Sequence, residues 1–178
     1  MAEALFGAVN PGAKMPVTVV RGVGHVPYFY NHKPSAKRGY LFAEAAPLFP
    51  FGHGLSYTTF EIGNPRLSSP RIDAGQGVDV LVDVRNTGRR AGDEVVQVYV
   101  RDEVASVTQP VKALRAFRRV TLQPGQQETL RLRLEPSAFR IWNVRMEEVI
   151  EPGRFTILVG PNSVDLKSVT LEITEGAV

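Results

Sequence analysis

The sequence predicts a mainly β protein, an antiparallel two-sheet sandwich preceded by the incomplete tail of another unit. Two observations carry this. From residue 58 onward, apolar and polar residues alternate in short segments, about seven of them in roughly 120 residues. The segments are separated by turn chemistry, and the chain holds 16 Gly and 13 Pro, which favours many short strands over long helices.

The elements follow in order. Residues 2–6 read as the last turn of a helix ending near Gly7. VTVV at 17–20 reads as one buried strand, and turn formers and aromatics follow in VPYFYNHKPSAKRGY. So few short elements cannot bury a core alone. Residues 1–57 are therefore expected to be the tail of a larger unit that begins before residue 1.

TTFEIG at 58–63 opens the β pattern. VDVLVDV at 78–84 sets Val78, Val80, Val82 and Val84 on one face and Asp79 and Asp83 on the other. VVQVYVRD at 95–102 sets Val96, Val98 and Val100 against Gln97, Tyr99 and Arg101, with Tyr99 as the main outward aromatic. ALRAFRRVTL at 113–122 is a further strand, and ETLRLRL at 128–134 alternates Leu130, Leu132 and Leu134 with Arg131 and Arg133. RFTILVG at 154–160 and SVTLEIT at 168–174 repeat the theme. NTGRRAGD, QPGQQ, EPG and GPNS separate them. The pattern is that of an immunoglobulin-like or fibronectin type III-like sandwich over 58–178. Without a Cys pair its core is held by packing, and Trp142 is a large core or rim residue.

Composition narrows the function classes. Of the 178 residues 43% are hydrophobic, enough for a core. No apolar run is long enough to span a membrane, and MAEALFGAVNPGAK does not read as a signal peptide. Absent cysteine removes disulfides and thiolate zinc sites and leaves the compartment open. The net charge of +3 arises in the first 60 residues, where Lys14, Arg21, Lys33, Lys37 and Arg38 outnumber Glu3 and Glu44. Later Arg residues alternate with Asp and Glu, which reads as a solvated mixed-sign surface and not a nucleic-acid face.

No motif completes a chemistry. His25, His32 and His53 lack ligand spacing, so neither metal nor cofactor is expected. His53, between Gly52 and Gly54, reads as part of a tight turn with a ring nitrogen bonded to backbone. Ser56 follows Gly54 at nucleophile-elbow spacing, but Thr58 stands where the second glycine belongs. Asp93 and Glu94, Asp102 and Glu103, and Glu147 and Glu148 are sequence neighbours that point to opposite faces of a strand, so they read as turn or surface charges. The aromatics of 28–31 and 49–60 suit either a sugar platform or a packed seam between domains, and their burial tendency favours the seam.

Several blocks together resemble the C-terminal end of a family 3 glycoside hydrolase of the β-glucosidase type. LFGAVNPGAKMPVT at 5–18 is similar to the block closing that family's α/β sandwich domain, and YFYNHKP at 28–34 to the segment after it. PLFPFGHGLSYTTF at 47–60 resembles the inter-domain junction. NTGRRAGDEVVQVYVRD, PVKALRAFRRVTLQPGQ and EPGRFTILVGPNS resemble the fibronectin type III-like domain. The resemblance makes residues 1–57 the tail of the α/β sandwich domain plus linker, and 58–178 the β-sandwich domain.

The resemblance implies a retaining exo-glycosidase whose aspartate nucleophile and acid/base glutamate lie upstream of residue 1, so no catalytic residue is assigned within the chain. The implied partners are the upstream catalytic domains, with β-linked oligosaccharide met only through the complete enzyme, in a periplasmic or secreted setting. Tyr28, Tyr30, Asn31 and His32 would line an outer wall for sugar. Phe49, Phe51, Gly52, Gly54, Tyr57 and Phe60, with Leu55, would bury at the joint against both domains. The rival reading is a stand-alone carbohydrate-binding or protein-interaction sandwich.

Overall fold

The computed structural model describes residues 2–36 and 44–175. Lys37 and Arg38, part of the basic excess, and the last three residues of the expected sandwich unit lie outside the described residues.

The strands are β1 (Phe60–Ile62), β2 (Arg66–Leu67), β3 (Arg71–Asp73), β4 (Val78–Asn86), β5 (Gly92–Asp102), β6 (Ala113–Leu122), β7 (Gln127–Leu134), β8 (Ile141–Trp142), β9 (Glu148–Val149), β10 (Gly153–Gly160) and β11 (Lys167–Thr174). All seven strands expected of the sandwich are present. β2, β3, β8 and β9 are additional, and at two or three residues each they are too short for any periodicity to show.

One sheet centres on β4, with β7 along one edge and β1 and β2 in succession along the other. The second runs β3–β11–β10–β5–β6, antiparallel except for β3 against β11. β8 and β9 form a separate ribbon. The inward rows meet between the sheets: Val78 to Val84 from β4, Val96 to Val100 from β5, Leu130 to Leu134 from β7, and Phe155, Ile157 and Val159 from β10. Burial of these rows is the main stabilising term, at about 1.5–3 kcal/mol per fully buried side chain.

Trp142 is not in this core. It is 58% exposed on the β8–β9 ribbon, because its neighbour Ile141 takes the buried face of that two-residue strand and alternation turns Trp142 outward. Nor does VTVV form a strand. Val19 makes one bridge to Phe49, and Val17 is exposed. The helix expectation holds in short form as α1 (Ala2–Leu5), followed by Gly7 at φ +78°, where a residue without Cβ turns the chain at no steric cost.

The outer face of the β4 sheet is an ion-pair ladder. Asp79 takes Arg131 and Arg133, and Asp83 takes Arg66 at 2.9 Å and the Thr129 hydroxyl at 2.6 Å. On the second sheet Asp93 takes the Thr121 hydroxyl and the Arg119 guanidinium. These bonds hold all three carboxyls below their ordinary value of 3.8. The unfolded chain therefore binds protons more readily than the folded one. Their stabilisation is complete well above pH 3.8 and is lost as pH falls through the lower folded values. Urea unfolding at pH 6, 4 and 3 is expected to show falling stability, and Asp79→Asn with Asp83→Asn should flatten that fall.

Candidate functional site at the seam over β5

The first segment has little interior of its own, and Gly52 is its one buried residue among those described up to residue 57. It lies instead along β5. Gln97 and Tyr99, expected to face solvent, are buried, Tyr99 completely so. The Tyr30 ring packs edge-on against Tyr99 at 5.6 Å and stacks on Phe51 at 4.4 Å. The Tyr99 hydroxyl donates to Gln97 Oε1 at 2.5 Å, and Gln97 Nε2 donates to the Pro161 carbonyl at 2.8 Å. Burial pushes the Tyr99 phenol well above its ordinary range, so it remains a donor. A bulge in the β5–β6 register at Val98/Tyr99 turns the Leu114 N–H to the Tyr30 hydroxyl at 3.2 Å. The aromatic that a sugar-binding sheet face would have shown is thus covered by the chain itself.

The joint is fixed by backbone geometry. Pro50 to His53 make a turn closed by His53 N–H to Pro50 O at 3.0 Å, with Gly52 at φ +80°. This is a type II turn, which favours glycine at that position. A Cβ on Gly52 would also lie 2.5 Å from the Gln97 amide. The His53 ring stacks on Phe49 at 4.9 Å, and among the described residues it does not make the expected backbone bond. A Cβ on Gly54 would lie 2.4 Å from the Ala13 carbonyl, which ties the joint to the NPGAK stretch. Phe60 packs against the core, whereas Phe49, Leu55 and Tyr57 remain exposed within this chain. The Tyr57 hydroxyl nevertheless donates to the Ala4 carbonyl, and Arg90 lies 5.9 Å from the Tyr57 ring centre.

Two asparagines that no sequence motif marks as functional bind these parts together. Asn10 Oδ1 accepts from Ser56 Oγ at 2.9 Å and from Tyr57 N–H at 2.8 Å, while its Nδ2 donates to Ala91 O at 2.8 Å. Ser56 therefore has a structural task. Asn86 is fully buried. Its Oδ1 accepts from Thr58 Oγ1 and Gly88 N–H, and its Nδ2 donates to Arg90 O and Leu122 O. Both stand beside turn formers, in N-P and N-T-G, the only signal that marked them. Glu94 was expected as a surface charge. It is buried instead and pairs with Lys14 at 2.7 Å. Asp93 faces Arg119, so the two neighbours serve separate partners.

The loop 28–34 sits beside the β5–β6 connection. Val111 N–H donates to His32 O at 3.0 Å, and Lys33 Nζ reaches Thr108 O. His32 Nδ1 lies 2.9 Å from the Lys33 carbonyl. Nδ1 therefore carries the proton, and Nε2 is the remaining polar atom of the ring. The four expected wall residues divide between two clefts that share His32. Tyr28, Tyr30 and His32 line one of about 60 Å³, and Asn31 and His32 line one of about 490 Å³.

Of the exposed large hydrophobics, 11 fall within the first 57 residues and six in the remainder of the described chain. Phe6 is 88% exposed and Leu55 76%. The first segment thus carries most of the exposed large hydrophobics of the described chain.

Residues 1–57 match the model of the glycosyl hydrolase family 3 C-terminal domain, and residues 94–163 match that of a fibronectin type III-like domain. A β-xylosidase of Formosa agariphila is 46% identical over 97% of the chain, which covers 25% of that relative. A periplasmic β-glucosidase of Salmonella typhimurium is 39% identical over 97% of the chain and 24% of its own length. Among solved structures, a β-glucosidase from Erythrobacter marinus superposes with a TM-score of 0.94 at 42% identity, covering 97% of this chain and 23% of that one. A β-glucosidase from Listeria innocua in complex with glucose gives 0.93 at 34% identity, covering 99% and 26%. The chain thus spans about a quarter of the length of the relatives it matches.

Proposed function

The chain belongs to glycosyl hydrolase family 3, as a C-terminal part of that family's larger enzymes, and from this we propose that it is the accessory end of a β-glucosidase-like or β-xylosidase-like enzyme. On this reading residues 1–57 complete an α/β sandwich domain and carry the linker, and 58–178 form the buttress. The observation that carries it is the uncovered apolar surface of the first segment, seated on a rigid sandwich through Asn10, Tyr30 and Lys14. Phe49, Leu55 and Tyr57 would complete their burial against the catalytic part.

Alone, the chain is expected not to hydrolyse glycosides. The check is an assay of the purified protein on chromogenic β-glucosides and β-xylosides. Turnover that copurifies with the chain through every step would overturn the reading.

The same proposal assigns Tyr28, Tyr30, Asn31 and His32 to the outer wall met by a longer oligosaccharide. Tyr30 also packs the seam, so Asn31 and His32 are the informative positions. Replacing their equivalents by alanine in an intact relative should lower kcat/KM on trisaccharides about fivefold, the equivalent of one lost hydrogen bond. Unchanged constants would remove these residues from the wall.

A further inference from the structure

The seam holds a cation that the fold does not use. Lys112 follows the β5–β6 connection and is half-buried. Among the described residues it has no hydrogen-bond or ion-pair partner. This sets it apart from the other described lysines: Lys14 meets Glu94, Lys33 meets the Thr108 carbonyl and Lys167 meets the Ile62 carbonyl. Its charged neighbour is Arg101, of the same sign and itself paired with Glu103 at 3.5 Å, and burial, with a smaller contribution from that charge, pushes the ammonium below its ordinary range. A partly desolvated ammonium beside a second cation is an unfavourable arrangement unless an anion completes it.

The place for that anion is formed. Lys112 lines the cleft of about 60 Å³ together with Thr18, Tyr28, Tyr30, His32 and Ser163. The cation comes from the sandwich, and hydroxyls able to donate to a carboxylate come from both sides of the seam. Space for about two waters accepts the two oxygens of a carboxylate and is too small to enclose a whole sugar ring. His32 also borders the larger cleft of about 490 Å³, lined by Phe29 and Asn31 as well, which has the dimensions of a sugar site.

We propose that the Lys112 cleft is a carboxylate-binding subsite, which makes the outer wall selective for oligosaccharides bearing a uronic acid. The selectivity rests on the wall reading given above. The carboxylate site does not.

The test is an NMR titration of the chain with glucuronic acid, its methyl ester, glucose and acetate, repeated on Lys112→Met. A charge-assisted contact of this kind is worth about a tenfold difference in affinity. Glucuronic acid should therefore bind about tenfold tighter than its ester, and Lys112→Met should bring the two within about twofold. Equal binding of acid and ester by the unaltered chain, or a preference that survives Lys112→Met, overturns the proposal. Acetate binding as well as glucuronic acid means that a carboxylate is taken without a sugar, as from a protein side chain, and overturns the uronic acid assignment. If glucuronic acid outbinds acetate and loses that preference in Lys112→Met, the proposal stands. Lys112→Arg keeps the charge and should retain most of the preference, which separates loss of the site from loss of folding.

Discussion

Replacing Asn86 by alanine is expected to lower the unfolding free energy by about 3 kcal/mol, among the largest effects for any polar substitution in this chain. The side chain is fully buried at the end of β4, and all four of its hydrogen-bonding positions are used. It holds the Thr58 hydroxyl at the start of the sandwich, the Gly88 N–H and Arg90 carbonyl of the β4–β5 turn, and the Leu122 carbonyl ending β6. Alanine leaves those groups without partners in a region closed to water. Asn86→Asp keeps the acceptor side but sets a carboxylate against two carbonyls, so at neutral pH it should be as damaging. Urea denaturation measures both. A loss below about 0.5 kcal/mol, the range of ordinary surface changes, would show that Asn86 does not hold this corner.

Replacing Tyr99 by alanine should cost about 3–4 kcal/mol, the range for a buried aromatic truncated to a methyl group. Here the cavity opens beneath Tyr30, and the Gln97 amide loses the phenol donor. Tyr99→Phe removes only the hydrogen bond and should cost about 1 kcal/mol. Tyr30→Ala acts from the other side of the seam. It should leave most of the sandwich's stability in place while making residues 15–36 faster to cleave in limited proteolysis. If Tyr99→Ala and Tyr30→Ala change global stability equally, the first segment and the sandwich unfold as one unit.

The sandwich was legible because its strands obey a period of two and its turns carry Gly, Pro and Asn. Val78 to Val84 and Leu130 to Leu134 needed only that rule. The outer face of β5 was not legible. Alternation says that Gln97 and Tyr99 leave the core, but it is silent on a covering segment some 70 residues earlier that turns that face into a second interior. The burial of Glu94 is invisible to alternation for the same reason, since its partner Lys14 is 80 positions away. For Trp142 size left core and rim both open, and the core is excluded because Ile141 takes the buried side of their two-residue strand. Of the candidate site, the joint motif and the 28–34 loop stood out by composition. Asn10, Asn86 and Lys112 did not, because single polar residues become conspicuous only once their neighbours are known.

On the function proposed above, the exposed apolar residues of the first segment dock against the catalytic part of a family 3 enzyme. That claim is tested most directly by a chimera in which this chain replaces the corresponding quarter of the Formosa agariphila β-xylosidase. Phe6 and Leu55 are exposed here, so Phe6→Asp with Leu55→Asp should leave the Tm of the isolated chain within about 2 °C. In the chimera the same pair should abolish xyloside hydrolysis by burying two carboxylates in an apolar interface. A chimera that keeps full activity with both aspartates in place would contradict the claim.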